Sequence, residues 1–243
     1  VAQASQEWQA ASNWLDQASS PEDMPTVVYK RAVLLGKQGF EKQGFALLDT
    51  LAQDTPQEVR LKMATKVQWL REFEQYEQAY QQLLRMGEQF PNDPDLMYEQ
   101  AMLAEQLGNH DDMERLLRLV IQIKPDFDHA YNALGYSLAD RGERLPEAIA
   151  LIQQALALTP NDPYMTDSLG WAYFRNGQLQ LAEEFLRKAY AAKADAEIAA
   201  HLGDVLWHRG KQDEAKHVWR AAASRHMNNK TLSATMQRFG VEP

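Results

Sequence analysis

Cysteine is absent from the 243 residues of this chain, so disulfide bonds, thiolate zinc sites, iron–sulfur clusters and cysteine nucleophiles are excluded. The chain also lacks any apolar run near the ~20 residues that a membrane-spanning helix needs. Basic residues are outnumbered by acidic ones, 25 to 34, which gives a net charge of −9. Because no broad basic surface would neutralise phosphate, this balance argues against nucleic acid or an anionic membrane as the main partner.

Catalytic motifs are missing as well. The sequence has no HExxH pair, no GxGxxG or GxxxxGK loop and no GxSxG elbow. His201 and His208 lie seven residues apart on one expected helix face, with Asp204 between them, but a third metal ligand at a fixed spacing is not evident. The sequence therefore predicts a protein that is not an enzyme and needs neither a metal nor a cofactor.

Residues that interrupt helices or favour strands are scarce. Glycine and proline number 12 and 10, and valine, isoleucine and threonine together number 23. Alanine, leucine and glutamine number 33, 29 and 23. Because good helix formers dominate, we expect an all-α fold.

Proline marks a regular period along the chain. Pro56, Pro91, Pro125 and Pro160 follow one another at intervals of 35, 34 and 35 residues. The last three each follow an apolar helical run and open a polar turn, and proline cannot continue a helix. This spacing predicts helix–turn–helix units of about 34 residues, the period of the tetratricopeptide repeat.

Small and large residues recur in register within these units. Leu169, Gly170 and Tyr173 are followed by Gly177 and then by Ala182, and the same order is found one unit earlier and one unit later. The chain therefore resembles the tetratricopeptide repeat (TPR) family, which implies an all-α solenoid of antiparallel helix pairs stacked into a right-handed superhelix. The predicted segments are a partial repeat and linker (1–24), six repeats (25–59, 60–93, 94–127, 128–162, 163–195 and 196–229) and a C-terminal capping helix (230–243).

The last three repeats resemble a narrower group. The strings NALGYSLADR, DSLGWAYFRNG and AAHLGDVLWHRGKQDEAKHVW are similar to the C-terminal half of bacterial outer-membrane lipoproteins. In that group the repeats are adaptors that bring a periplasmic carboxyl-terminal processing protease to peptidoglycan hydrolases. The resemblance implies these two classes of partner, a periplasmic location and a lipid anchor upstream of Val1. A general envelope assembly factor, or the repeat arm of a larger enzyme, stays open as an alternative, and so does a cytoplasmic location.

The apparent start of the chain within a repeat leads to one further expectation. Ala11, Leu15 and Ala18 match only the second helix of a unit, with Trp8 and Trp14 beside them. Because repeat arrays need a polar terminal cap, we expect the full-length protein to extend upstream.

The geometry of the repeat predicts a binding surface. In such arrays the first helix of each pair lines a concave face. In the first three repeats, the residues that the packing pattern leaves free on this helix are Tyr29, Lys30, Val33 and Lys37, then Ala64, Thr65, Gln68 and Arg71, and then Tyr98, Glu99, Met102 and Glu105. The later repeats are richer in aromatic residues, and exposed Tyr and Trp beside Arg, Asp and His are typical of protein-binding hot spots. The predicted partner-binding residues are Tyr98, Met102, His129, Asn132, Tyr136, Asp140, Tyr164, Asp167, Trp171, Phe174, Arg175, His201, Asp204, Trp207 and His208.

Overall fold

The structure, a computed structural model, describes residues 24–226 and 229–242. These residues form α-helices and one short 3-10 turn, with no strand in the described ranges. The expected second-helix residues Ala11, Leu15 and Ala18 lie outside the described residues, as do Trp8 and Trp14. No helix among the described residues is long and apolar enough to cross a membrane.

The chain divides into two compact units, and the division falls between Leu116 and Leu117. Unit 1 contains α1 (Met24–Lys37), α2 (Glu41–Leu47), a 3-10 turn (Leu48–Thr50), α3 (Pro56–Glu72), α4 (Tyr76–Gln89) and α5 (Pro94–Gln106). The boundary falls in α6 (His110–Ile123). Unit 2 contains α7 (Asp128–Arg141), α8 (Leu145–Leu158), α9 (Pro163–Arg175), α10 (Leu179–Ala192), α11 (Ala196–His208), α12 (Gln212–Ala223) and α13 (Lys230–Arg238).

Helices begin where the sequence offers side-chain caps. Asp93 and Asp162 accept hydrogen bonds from the first backbone amides of α5 and α9, and Pro94 and Pro163 open those helices. Thr55 and Glu58 form a reciprocal capping box at the start of α3. This helix therefore begins at Pro56, before the predicted start of the second repeat at residue 60.

The helices pack as antiparallel neighbours, and small residues set their approach. A Cβ placed on Gly170 would lie 2.6 Å from Cγ of Leu186, and one placed on Gly203 would overlap the indole of Trp219. In unit 1, a Cβ on Gly44 would overlap the backbone carbonyl of Ala32. Each glycine thus lets its helix lie against the neighbouring helix more closely than any other residue would allow.

First helices of successive pairs also contact one another within each unit. In unit 2, α7 packs on α9, α9 packs on α11, and α11 packs on α13; in unit 1, α1 packs on α3. We call the surface that these helices form the first-helix face of each unit. The all-α fold predicted from the sequence is confirmed by this arrangement.

Candidate functional site

The first-helix face of unit 1 contains an open groove. Its volume is about 610 Å³, and α1, α3, α4 and α5 contribute its walls. Val67, Leu83, Met86 and Leu96 are buried and supply apolar surface to the groove. We call this cavity the unit 1 groove; the other residues that line it are Tyr29, Arg60, Ala64, Gln68, Arg71, Glu72, Asp95 and Glu99.

Charged side chains at the unit 1 groove are joined in pairs. Arg71 Nη1 lies 2.6 Å from Glu99 Oε2, which connects α3 with α5. Glu72 Oε1 lies 3.0 Å from Lys37 Nζ and connects α3 with α1. Partial burial, together with the charge of Glu72, raises the pKa of Tyr29. The groove therefore combines an apolar interior with nearly balanced charges.

The unit 1 groove is open because the side chains that α3 directs toward it are too small to fill it. Ala64 and Gln68 are both exposed on this helix. Gln68 follows the packing residue Val67, as Trp171 follows Gly170 in unit 2. The same position of the repeat therefore holds a flexible amide in one unit and a large ring in the other.

In unit 2, Trp171 fills the corresponding space. Its side chain is 8% exposed, and its indole Nε1 donates a hydrogen bond of 3.1 Å to Asp140 Oδ1 on α7. Arg175 contacts the backbone carbonyl of Asp140 and places its guanidinium 5.8 Å from the centre of the Trp171 ring. Trp171 thus links α7 to α9.

A buried histidine–aspartate pair continues this connection to the next helix. His201 Nδ1 on α11 donates to the carboxylate of Asp167 on α9, with distances of 2.9 and 3.1 Å to its two oxygens. The His201 ring stacks on Trp171 at 4.3 Å between ring centres. Burial by itself lowers the pKa of His201, but the charge and hydrogen bond of Asp167 outweigh burial, so the pKa is raised.

Asp204 forms a second buried polar centre. Its carboxylate is almost fully covered, pairs with Arg238 on α13 and lies 3.0 Å from His208 Nδ1. The same ring nitrogen donates to the backbone carbonyl of Asp204 at 2.9 Å. Through Arg238, Asp204 joins the C-terminal helix to α11.

Aromatic rings extend along this end of unit 2. Phe174 lies 5.2 Å from His208, and Phe239 lies 6.0 Å from His208 and 5.0 Å from Trp207, measured between ring centres. All four side chains keep some exposure to solvent. We call Phe174, Trp207, His208 and Phe239 the C-terminal aromatic strip.

The structure corrects the expected exposure of four predicted binding residues. Asp167, Trp171, His201 and Asp204 are buried, because they bond or stack with one another and with residues of the adjacent first helix. They hold the first-helix face together, and the prediction that they are exposed is wrong.

The other predicted residues keep at least partial exposure. The exposed ones are His129, Asp140, Tyr164 and His208, and the half-buried ones are Tyr98, Met102, Asn132, Tyr136, Phe174, Arg175 and Trp207. Tyr98 and Met102 lie on α5 in unit 1, and the remainder lie on α7, α9 and α11 in unit 2. The structure thus distributes the predicted set over both units.

Two features of the surface are missing from the predicted binding set. The inner-face pattern includes the groove residues Ala64 and Gln68, but neither is aromatic, and aromatic content is the criterion that selects the binding set. Arg238 and Phe239 lie at the end of the predicted C-terminal capping helix and not on a first helix of a repeat. Among the described residues, no group of three or more His, Asp or Glu side chains could hold a metal ion.

The helix pairs and the small residues between them are features of the tetratricopeptide-repeat class, and comparison with known proteins shows that this chain carries such repeats. Sequence profiles described as "Tetratricopeptide repeat" match residues 110–163 and 168–195. The chain is 39% identical over 181 residues to a TPR repeat-containing protein of Pseudomonas aeruginosa. That match covers 74% of this chain and 30% of the relative, so the chain spans less than a third of the length of the relative.

Solved structures agree on the fold. A TPR protein of Thermus thermophilus superposes with a TM-score of 0.63 at 21% identity, covering 69% of this chain and 92% of that one. A tetratricopeptide repeat protein of Parabacteroides merdae gives a TM-score of 0.70 at 13% identity, covering 96% and 93%. At these identities the likeness shows the fold alone, and it confirms the predicted TPR solenoid class.

Proposed function

We propose that this protein is a non-enzymatic scaffold that binds an extended segment of a partner protein in the unit 1 groove. The observation that carries the proposal is the open cavity of about 610 Å³ on a first-helix face. Its volume lies within the ~300–1,000 Å³ typical of pockets for small molecules, so it is large enough to admit side chains of a partner segment. An apolar interior surrounded by polar and charged groups is also the usual anatomy of a protein interface.

The paired charges at the groove favour an uncharged stretch of the partner. Arg71 and Glu99 satisfy each other, and so do Lys37 and Glu72. A charged ligand group would have to compete with these pairs, whereas an apolar side chain can enter beside Val67. The amide of Gln68 can both donate to and accept from a peptide backbone.

The more specific role that we propose is that of a periplasmic adaptor with an outer-membrane lipid anchor in the full-length protein. In this role it binds a carboxyl-terminal processing protease and helps to deliver peptidoglycan hydrolases to it. Support comes from the resemblance of the last three repeats to adaptors of this kind. The similarity to the relative from Pseudomonas aeruginosa supports the repeat architecture.

Reconstitution with purified components tests this role. We expect the protein to form a complex with the processing protease and to raise the rate at which that protease degrades a peptidoglycan hydrolase. Gln68→Trp should weaken partner binding by about tenfold or more, because its ring would occupy the groove. Gln81→Trp, which changes an exposed residue of α4 outside the groove lining, is the matched control.

Different results contradict different parts of the proposal. If neither the protease nor the hydrolase binds to the folded protein, the adaptor role is wrong. If they bind equally well to wild type, Gln68→Trp and Gln81→Trp, the groove is not their site.

A further inference from the structure

The C-terminal aromatic strip is continuous across three helices of unit 2. Phe174 comes from α9, Trp207 and His208 come from α11, and Phe239 follows α13. Phe239 also stacks on the buried Trp219 at 5.2 Å between ring centres, which fixes the end of the strip to the core. The rings are therefore held in place before any partner arrives, and this reduces the entropy lost on binding.

Basic side chains border the strip. Arg238 is 57% exposed, and its guanidinium lies 4.9 Å from the centre of the Phe239 ring. Arg175 follows Phe174 directly and is 30% exposed. Lys216 Nζ lies 5.7 Å from the centre of the Trp207 ring. Three cations thus lie beside four rings on a chain whose net charge is −9.

The acidic groups near these cations are unevenly placed. Asp204 faces Arg238, but its side chain is only 4% exposed, so a partner cannot reach it. Asp140 is exposed and lies 3.6 Å from Arg175 Nη1. Arg175 is therefore balanced at the surface by Asp140, whereas Arg238 is balanced only by a buried carboxylate. The positive charge that faces solvent at the strip comes from Arg238 and Lys216.

We propose that the C-terminal aromatic strip binds an acidic protein segment that carries an aromatic side chain. The carboxylates would pair with the exposed side of Arg238, whose own partner Asp204 is buried, and would compete with Asp140 for Arg175. The ring would stack on Phe174 or Phe239, where aromatic pairs favour contact beyond simple burial. This inference rests on the proposed scaffold function, because only a scaffold protein would be expected to bind a protein segment here. It places that segment on unit 2 and gives it a chemistry opposite to that favoured by the unit 1 groove.

Fluorescence anisotropy with synthetic peptides tests the proposal directly on the full chain. The probe is a fluorescein-labelled peptide of about twelve residues in which two Phe are separated and flanked by Asp. One control peptide has Lys in place of each Asp, and another has Ser in place of each Phe. We expect the acidic aromatic peptide to bind at least about tenfold more tightly than either control.

Variants locate the binding on the strip. Arg175→Gln and Arg238→Gln should each weaken binding by about threefold or more and reduce its dependence on salt. Lys188→Gln, which removes an exposed cation of α10, should leave binding unchanged. Because Arg238→Gln also removes a partner of Asp204, circular dichroism establishes that the variant is folded, and Arg175→Gln provides a second test.

The outcomes separate this proposal from the function proposed above. Equal affinity for all three peptides, preference for the Lys peptide, or binding that neither arginine variant changes would overturn it. Tighter binding of a single-stranded oligonucleotide than of the acidic peptide would do so as well. Gln68→Trp should not affect the peptide, so a failure at the strip leaves the unit 1 groove to be judged by its own experiment.

Discussion

Units 1 and 2 use the same repeat position in opposite ways. In unit 1, Gln68 leaves a groove of about 610 Å³. In unit 2, the equivalent Trp171 bonds to Asp140 and stacks on His201, so that neighbouring first helices are joined. The difference shows that an aromatic residue on the first-helix face need not be a ligand contact. A large ring that reaches the adjacent helix stabilises the array, and a smaller side chain leaves room for a partner.

The largest effect that we predict is at Trp171. Trp171→Ala should lower the free energy of unfolding by about 3–5 kcal/mol, because it removes a buried ring and leaves a cavity between α7, α9 and α11. Urea unfolding followed by circular dichroism measures this change. Tyr164→Ala on the same helix is the control, since its side chain is 46% exposed, and it should stay within about 0.5 kcal/mol of wild type. An equally small loss of unfolding free energy for Trp171→Ala would show that Trp171 does not hold α7 and α9 together.

The next largest effect concerns close packing in unit 2. Gly203→Ala should destabilise the protein by about 1–3 kcal/mol, because the new methyl group overlaps the buried indole of Trp219. Gly87→Ala on α4 should have the opposite sign and stabilise by about 0.5–1 kcal/mol, since nothing lies within 4 Å of its Cβ position. Thermal unfolding of both variants measures these two opposite changes in stability. Stabilisation by Gly203→Ala would show that the helix register is wrong.

The stability of unit 2 should also depend on pH through the His201–Asp167 pair. Since the pKa of His201 is raised above its ordinary 6.5, the folded state favours the protonated ring. The contribution of the His201–Asp167 pair to stability is therefore complete below that ordinary value and is lost as the pH rises through the raised one. Urea unfolding should show that wild type loses more stability than His201→Gln between about pH 6 and pH 9. Identical losses would contradict a charged pair at this site.

The smallest effect on stability is expected in unit 1. Gln68→Trp should change the free energy of unfolding by no more than about 0.5 kcal/mol, because the new ring enters an open groove and displaces no packed side chain. The same urea unfolding experiment measures it beside Trp171→Ala. A loss of several kcal/mol would mean that Gln68 has a packing role like that of Trp171, and the contrast between the units would disappear.

Much of the fold follows from local sequence signals. Proline and aspartate mark the starts of α5 and α9, and Gly170 and Gly203 mark the close helix contacts. These effects depend on residues near one another in the chain or on backbone geometry. The periodic pattern could therefore predict the TPR solenoid class without knowledge of the structure.

The site was harder to predict because it depends on distant partners. The buried Trp171 donates a hydrogen bond to Asp140, 31 positions earlier in the chain, and His201 donates one to Asp167, 34 positions earlier. Sequence periodicity shows which side chains share a face, but not which of them fill the space between helices. The unit 1 groove exists because Ala64 and Gln68 do not fill it, and an open space leaves little signal in a sequence.

Site-specific photo-crosslinking shows whether partner proteins bind in the unit 1 groove. A benzophenone-bearing amino acid replaces Gln68 in one variant and Gln81, outside the groove lining, in the other. After irradiation in an envelope extract, we expect a discrete crosslinked partner protein from position 68 and none from position 81. Equal crosslinking at the two positions, or none at position 68, would show that partner proteins do not bind in the unit 1 groove.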